Sequence, residues 1–167
     1  SLFRINVQNN NMTGTIPTAL TSLPNLNELR IENNNFQFGD FETDFNFYQS
    51  NLTQFIYSPQ QQLTPKEDVA LNIGESFTFD ANTSGTLNTY FWFKRNPITG
   101  GGTLISTDEN FNLTINSVSD YGDYWLEVTN SQISGLVLST VDFTVGQRPN
   151  THPDYNTLVA IYNASTG

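Results

Sequence analysis

Apolar residues recur along the first third of the chain at a fixed spacing. Leu2, Ile5, Val7 and Met12 are followed by Leu26, Leu29, Ile31 and Phe36, each 24 positions on. Asn10 and Asn34 obey the same offset. Between the copies lie Gly14-Thr15-Ile16-Pro17, then Leu20 and Leu23. A repeat of this length is one structural unit stacked on the next. The alternation at Ile5/Val7 and Leu29/Ile31 predicts short strands with one face inward. Asn10 and Asn34 are expected to turn the chain and to bond main-chain groups of the neighbouring coil.

After residue 36 the repeat fades. Phe38, Phe41, Phe45, Phe47, Leu52, Phe55, Ile56 and Tyr57 form an aromatic-rich segment, expected to cap the exposed end of the core. Residues 60–65 then read as a polar linker. Beyond it the pattern becomes a two-residue alternation, which predicts strands over 74–81, 90–94, 112–115, 120–130 and 137–145. A second linker at 147–153 contains the sole histidine, His152. Leu158, Ile161 and Tyr162 share a helical face over 154–163, and Asp154 stands where it caps that turn.

The front pattern, L-x-x-L-x-L-x-x-N-x-L-x-G-x-I-P, resembles the leucine-rich repeat of plant receptors and of surface proteins from Bacteroidetes bacteria. The match covers residues 2–36. The resemblance implies a curved stack whose concave face binds, so the outward strand residues Arg4, Asn6, Gln8, Glu28, Arg30 and Glu32 are the candidate contacts. Coil stacking sets Arg4 beside Glu28 and Gln8 beside Glu32, and a self-paired solvated surface is the plain alternative. Two coils are too few to stand alone, so further repeats are expected before Ser1.

Residues 66–146 resemble an immunoglobulin-like domain. The family's buried tryptophan falls on Trp92, and its D-x-G-x-Y corner falls on Asp120, Gly122 and Tyr124. The places of its two cysteines hold Ala81 and Leu126, so packing alone is expected to join the sheets. Trp125 alternates away from Tyr124 and is the candidate exposed aromatic, for stacking on a sugar or anchoring a partner. The tail resembles the helix that opens another repeat array. The expected organisation is a mainly β chain: repeats and cap over 1–63, sandwich over 66–146, and linker with the start of a capping helix over 147–167.

Charge and missing chemistry narrow the function. Six Lys+Arg stand against 16 Asp+Glu, a net charge of −10. This excludes nucleic acid as an expected partner, since phosphate binding needs a basic face, and disfavours anionic lipid. The chain has no cysteine, hence no disulfide and no thiolate chemistry. Asp40, Glu42 and Asp44 alternate, but the glycine and glutamate that a calcium loop needs are replaced by Phe45 and Asn51. No catalytic residue, cofactor or metal ligand set is expected. Gly100-Gly101-Gly102 lacks the following Gly-Lys-Ser/Thr of a phosphate loop and reads as a hairpin tip. Glycosylation sequons start at Asn11, Asn51, Asn82, Asn112 and Asn163. No apolar run spans a membrane and no leader is present, so targeting information is expected upstream. The expectation is a non-enzymatic extracellular or cell-surface module that binds protein or glycan. A spacer, a plant-type receptor ectodomain and the stalk of a secreted enzyme are the alternatives.

Overall fold

The computed structural model describes residues 2–149 and, in the tail, residues 157, 160, 161 and 164. The capping helix expected over 154–163 and the histidine His152 lie largely or wholly outside the described residues.

Three short strands, β1 (Arg4–Asn6), β2 (Glu28–Arg30) and β3 (Gln54–Ile56), pair in parallel in that order. Arg4 stands opposite Glu28, and Glu28 opposite Gln54. The third strand corrects the expectation that the repeat ends at residue 36. Leu52, Phe55, Tyr57 and Gln60 stand 26 positions after Leu26, Leu29, Ile31 and Asn34. The two extra residues are absorbed on the way round by the helix α1 (Phe45–Asn51).

Asparagine ladders tie the coils together. Asn34 is fully buried. Its amide donates to Val7 O at 2.9 Å and Ile31 O at 3.0 Å, and its Oδ1 accepts Met12 N at 3.0 Å. Gln60 repeats this one coil later: its amide donates to Ile31 O and Tyr57 O, and its Oε1 accepts Phe36 N. The side-chain amide of Asn10 bonds only its own turn, to Val7 O and Gln8 O. The left-handed turn itself falls one residue earlier than expected, on Asn9 and Asn33, with φ near +57° and +56°. Asparagine tolerates that region because its short side chain bonds locally. Asn10 and Asn34 therefore supply amides, and their neighbours bend the chain.

Phe41, Phe45, Tyr48, Phe55 and Tyr57 close the end of the stack as a cap, with tilted or edge-on ring pairs 5.1–6.3 Å apart. Such geometry aligns ring edges with ring faces and adds to the burial of apolar surface.

The second half is a two-sheet sandwich. Its strands are β4 (Val69–Leu71), β5 (Ser76–Asp80), β6 (Asn88–Arg95), β7 (Gly102–Ser106), β8 (Asn110–Thr114), β9 (Gly122–Asn130), β10 (Val137–Ser139) and β11 (Phe143–Gln147). One sheet runs β4-β11-β9-β6-β7 with β10 also on β9; the other is β5-β8. This segregation of strands is immunoglobulin-like. The expected single strand over 137–145 is two strands: at Thr140 the N–H still donates to Leu126 O, but Leu126 N bonds Thr140 Oγ1 in place of its main-chain oxygen. Trp92 is fully buried against Phe79, Phe111 and Phe143, with ring centroids 6.4, 5.6 and 6.4 Å away. Its Nε1 donates to Asp108 O at 2.8 Å. Ala81 and Leu126 are both buried, so apolar volume occupies the places where cysteines were absent.

Residues 60–65 are not a free linker. Gln60 and Gln61 belong to the stack, and Leu63 is buried with its N–H on Ser139 O at 2.8 Å.

Candidate functional site

The stack presents its outward strand residues as ion pairs. Arg4 Nε meets Glu28 Oε2 at 2.7 Å. Arg30 reaches Glu32 Oε1 through both Nε, at 3.0 Å, and its NH2 nitrogen. Glu28 and Glu32 are only 8% and 5% exposed. Two of the candidate contacts, Glu28 and Glu32, are thus paired with arginines within the face. Gln8 is half-buried, and Arg4 and Asn6 remain exposed. A ligand on this face meets Arg4 and Asn6 first.

Trp125 is not a free platform. It is half-buried, stacked on Phe93 at 5.0 Å between centroids with planes 18° apart, and Arg95 lies over its ring at 4.7 Å. Its Nε1 donates to Glu127 Oε1 at 3.1 Å. Arg95 is held in turn by a two-pronged ion pair with Asp142. Gly102 gives the ring room: a Cβ there would stand 2.3 Å from Trp125 Cη2. Gly102 is therefore a packing position rather than part of a loose tip. Gly102→Ala is expected to cost roughly 1–3 kcal/mol through overpacking, read as a lowered urea midpoint. A midpoint equal to the parent's would mean that the ring moves aside freely.

The corner expected at Asp120, Gly122 and Tyr124 is formed. The Tyr124 hydroxyl donates to Asp120 O. Asp120 Oδ2 accepts Asn116 N at 2.8 Å and Ser117 N at 2.9 Å, and these bonds, Asn116 first, hold its carboxyl below the usual range. Gly122 opens β9. Burial pushes the Tyr124 phenol up to about 12. All three residues act in the fold.

The sequence did not reveal the joint between stack and sandwich. Glu42, 8% exposed, projects from the cap into the sandwich loops. Its Oε2 accepts Thr86 N at 2.8 Å and Thr86 Oγ1 at 2.9 Å; its Oε1 accepts Asn130 Nδ2 at 2.6 Å and Leu87 N at 3.2 Å. Its main-chain oxygen accepts Gln132 Nε2 at 2.8 Å. Burial pushes this carboxyl up, but the bonds from Asn130, Thr86 and Leu87 together outweigh it and leave it below its usual value. Further bonds run from Tyr57 Oη to Ser134 O and from Ser58 Oγ to Gly135 O. Main chains pack closely here: a Cβ on Gly85 would lie 2.8 Å from Phe38 Cβ. The loops joining β5 to β6 and β9 to β10 are thereby used in the joint. The signal that could have pointed to it is a glutamate set among aromatics in the cap.

Among the described residues, no group of three or more His, Cys, Asp or Glu side chains could hold a metal ion. No helix there is long and apolar enough to cross a membrane.

No protein-family model matches the sequence, and no curated protein does. Among solved structures, one on Dscam isoform specificity matches with 14% identity and a TM-score of 0.42. The N-terminal four Ig domains of Dscam1 isoform 6.9 match with 13% identity and a TM-score of 0.38. Each match covers 58% of this chain and 27% of the other. The immunoglobulin-like assignment rests on the strand order described above.

Proposed function

We propose that the chain is a non-catalytic piece of a cell-surface or secreted binding protein. In this reading its front is the end of a leucine-rich repeat array that recognises protein or glycan. The sandwich is the spacer that holds the array at a fixed angle. The joint is the observation that carries it. A buried carboxylate with four donors and, among the described residues, no counter-cation fixes the two units, and it occupies the sandwich loops that could otherwise bind. The 24-residue repeat with its asparagine ladder supports the repeat-family assignment. The non-enzymatic part of the reading draws on the absence of any catalytic motif in the sequence. No cofactor is invoked.

The same joint also supports a purely architectural spacer, and one experiment separates the two. The chain is applied to a glycan array and to a panel of purified surface proteins, beside a variant with Arg4, Asn6 and Gln8 all changed to alanine. Recognition through the stack predicts binding that falls at least about tenfold, or ~1.4 kcal/mol, in the variant. Equal binding by both moves recognition off this face. No binding by either leaves the spacer.

A further inference from the structure

One strand edge in the sandwich is open beside a groove. Among the described residues β5 pairs only with β8, with Phe77 opposite Leu113 and Thr78 opposite Asn112. Ile115 N donates to Glu75 O at 3.0 Å, which sets the alternation along the pair. The main-chain groups of Phe77 and Phe79 therefore point at β8, and those of Ser76, Thr78 and Asp80 point away from it. The close contact of Ser76 Oγ with Thr114 Oγ1, 2.8 Å, fits a pair that exchanges no main-chain bonds. Among the described residues, no main-chain group meets this outward row.

Beyond the row lies a groove of about 460 Å³. Residues 63–67 form its far wall and run past β5 without pairing to it. Among the described residues, the wall's one hydrogen bond toward this strand comes from a side chain: Lys66 Nζ donates to Ala81 O, just past the end of β5, at 2.8 Å and closes one end. Leu63, Pro65 and the 40% exposed Phe77 supply apolar surface. The charged residues of the walls are Lys66, Glu67 and Asp80, one cation against two carboxylates.

We propose that this groove takes an extended peptide segment of a partner protein, added as a strand on the free edge of β5. The outward groups repeat every second residue, about 7 Å apart. An extended main chain is the ligand whose donors and acceptors repeat at that interval, and side-chain pockets beside it select the sequence. A sugar or a small acid can meet one such position but not three in register. The acidic excess of one charge in the walls disfavours an acidic segment. This site is independent of the stack face. It makes the sandwich a second binding unit and leaves the joint with Glu42 untouched.

The test pans a library of displayed seven-residue peptides against the whole chain, with counter-selection on Thr78→Pro. Proline at 78 removes an N–H that no internal bond uses, and it blocks strand addition. Enriched peptides are expected to bind the variant at least tenfold more weakly. Because proline can also weaken the strand, hydrogen exchange is measured on the unmodified chain with one enriched peptide bound. Slowed exchange at the amides of Ser76, Thr78 and Asp80 supports the site. Protection that falls on the β7 edge or on the stack instead overturns it, as does a library from which nothing is enriched.

Discussion

Glu42→Ala is expected to destabilise the chain by about 3 kcal/mol or more, since hydrogen bonds to a charged group contribute roughly 1.5–3 kcal/mol each and are not additive. The substitution removes the acceptor of Thr86 N–H, Thr86 Oγ1–H and Leu87 N–H and leaves the Asn130 amide with Asn88 Oδ1 alone. Glu42→Gln keeps the shape but turns an N–H₂ toward these donors, so it is expected to recover only part of the loss. Urea unfolding of the parent is expected to be a single transition. Both variants are expected to show two, as stack and sandwich unfold apart. One transition at the parent's midpoint in Glu42→Ala would show that the joint is held elsewhere. Acid acts on the same group. The carboxyl sits below its ordinary value of 4.5 in the folded chain. Its contribution is therefore full above pH 4.5 and is lost as pH falls through the lowered folded value. In the alanine variant that part of the acid sensitivity is expected to vanish.

Asn34→Ala is expected to cost roughly 1–3 kcal/mol, because it removes a fully buried, fully bonded side chain and leaves one donor without a partner. Met12 N–H loses its acceptor, while the Val7 and Ile31 carbonyls lose Asn34 but keep Asn10 and Gln60 as donors. Asn10→Ala removes the same side chain one coil earlier, where it is exposed and bonds only its own turn. That change is expected to stay within about 0.5 kcal/mol, the usual range for surface substitutions. Thermal denaturation of the pair checks the ladder. Equal shifts for the two asparagines would contradict it.

The periodic parts of the molecule were legible in the sequence. Ile5/Val7 and Leu29/Ile31 mark β1 and β2 because burial on one face forces alternation. Trp92, Asp120 and Tyr124 mark the sandwich because its core and corner need those side chains. The third coil was hidden by a two-residue insertion and by the replacement of Leu, Ile and Asn with Phe55, Tyr57 and Gln60. Gln60 works because its longer side chain still reaches Ile31 O and Phe36 N. β4 is three residues long, too short to show a period, and β7 opens on Gly102. Trp125 was read by alternation alone, which gives the face of a strand but not what lies across it. Phe93 and Arg95, on the neighbouring strand, decide its exposure. The joint was beyond reach for a different reason. Glu42 meets residues 86, 87, 130 and 132 across sequence separations of 44 to 90, which no local pattern encodes.

Rigid coupling of stack and sandwich is tested most directly by a distance between them. The chain has no cysteine, so spin labels can be placed on Thr13→Cys and Ile98→Cys, both at exposed sites. Pulsed dipolar spectroscopy at neutral pH is expected to give one narrow distance distribution, and a broad one when Glu42→Ala is added. A broad distribution in the parent would contradict a fixed joint and, with it, the proposal that the sandwich holds the repeat array at a set angle.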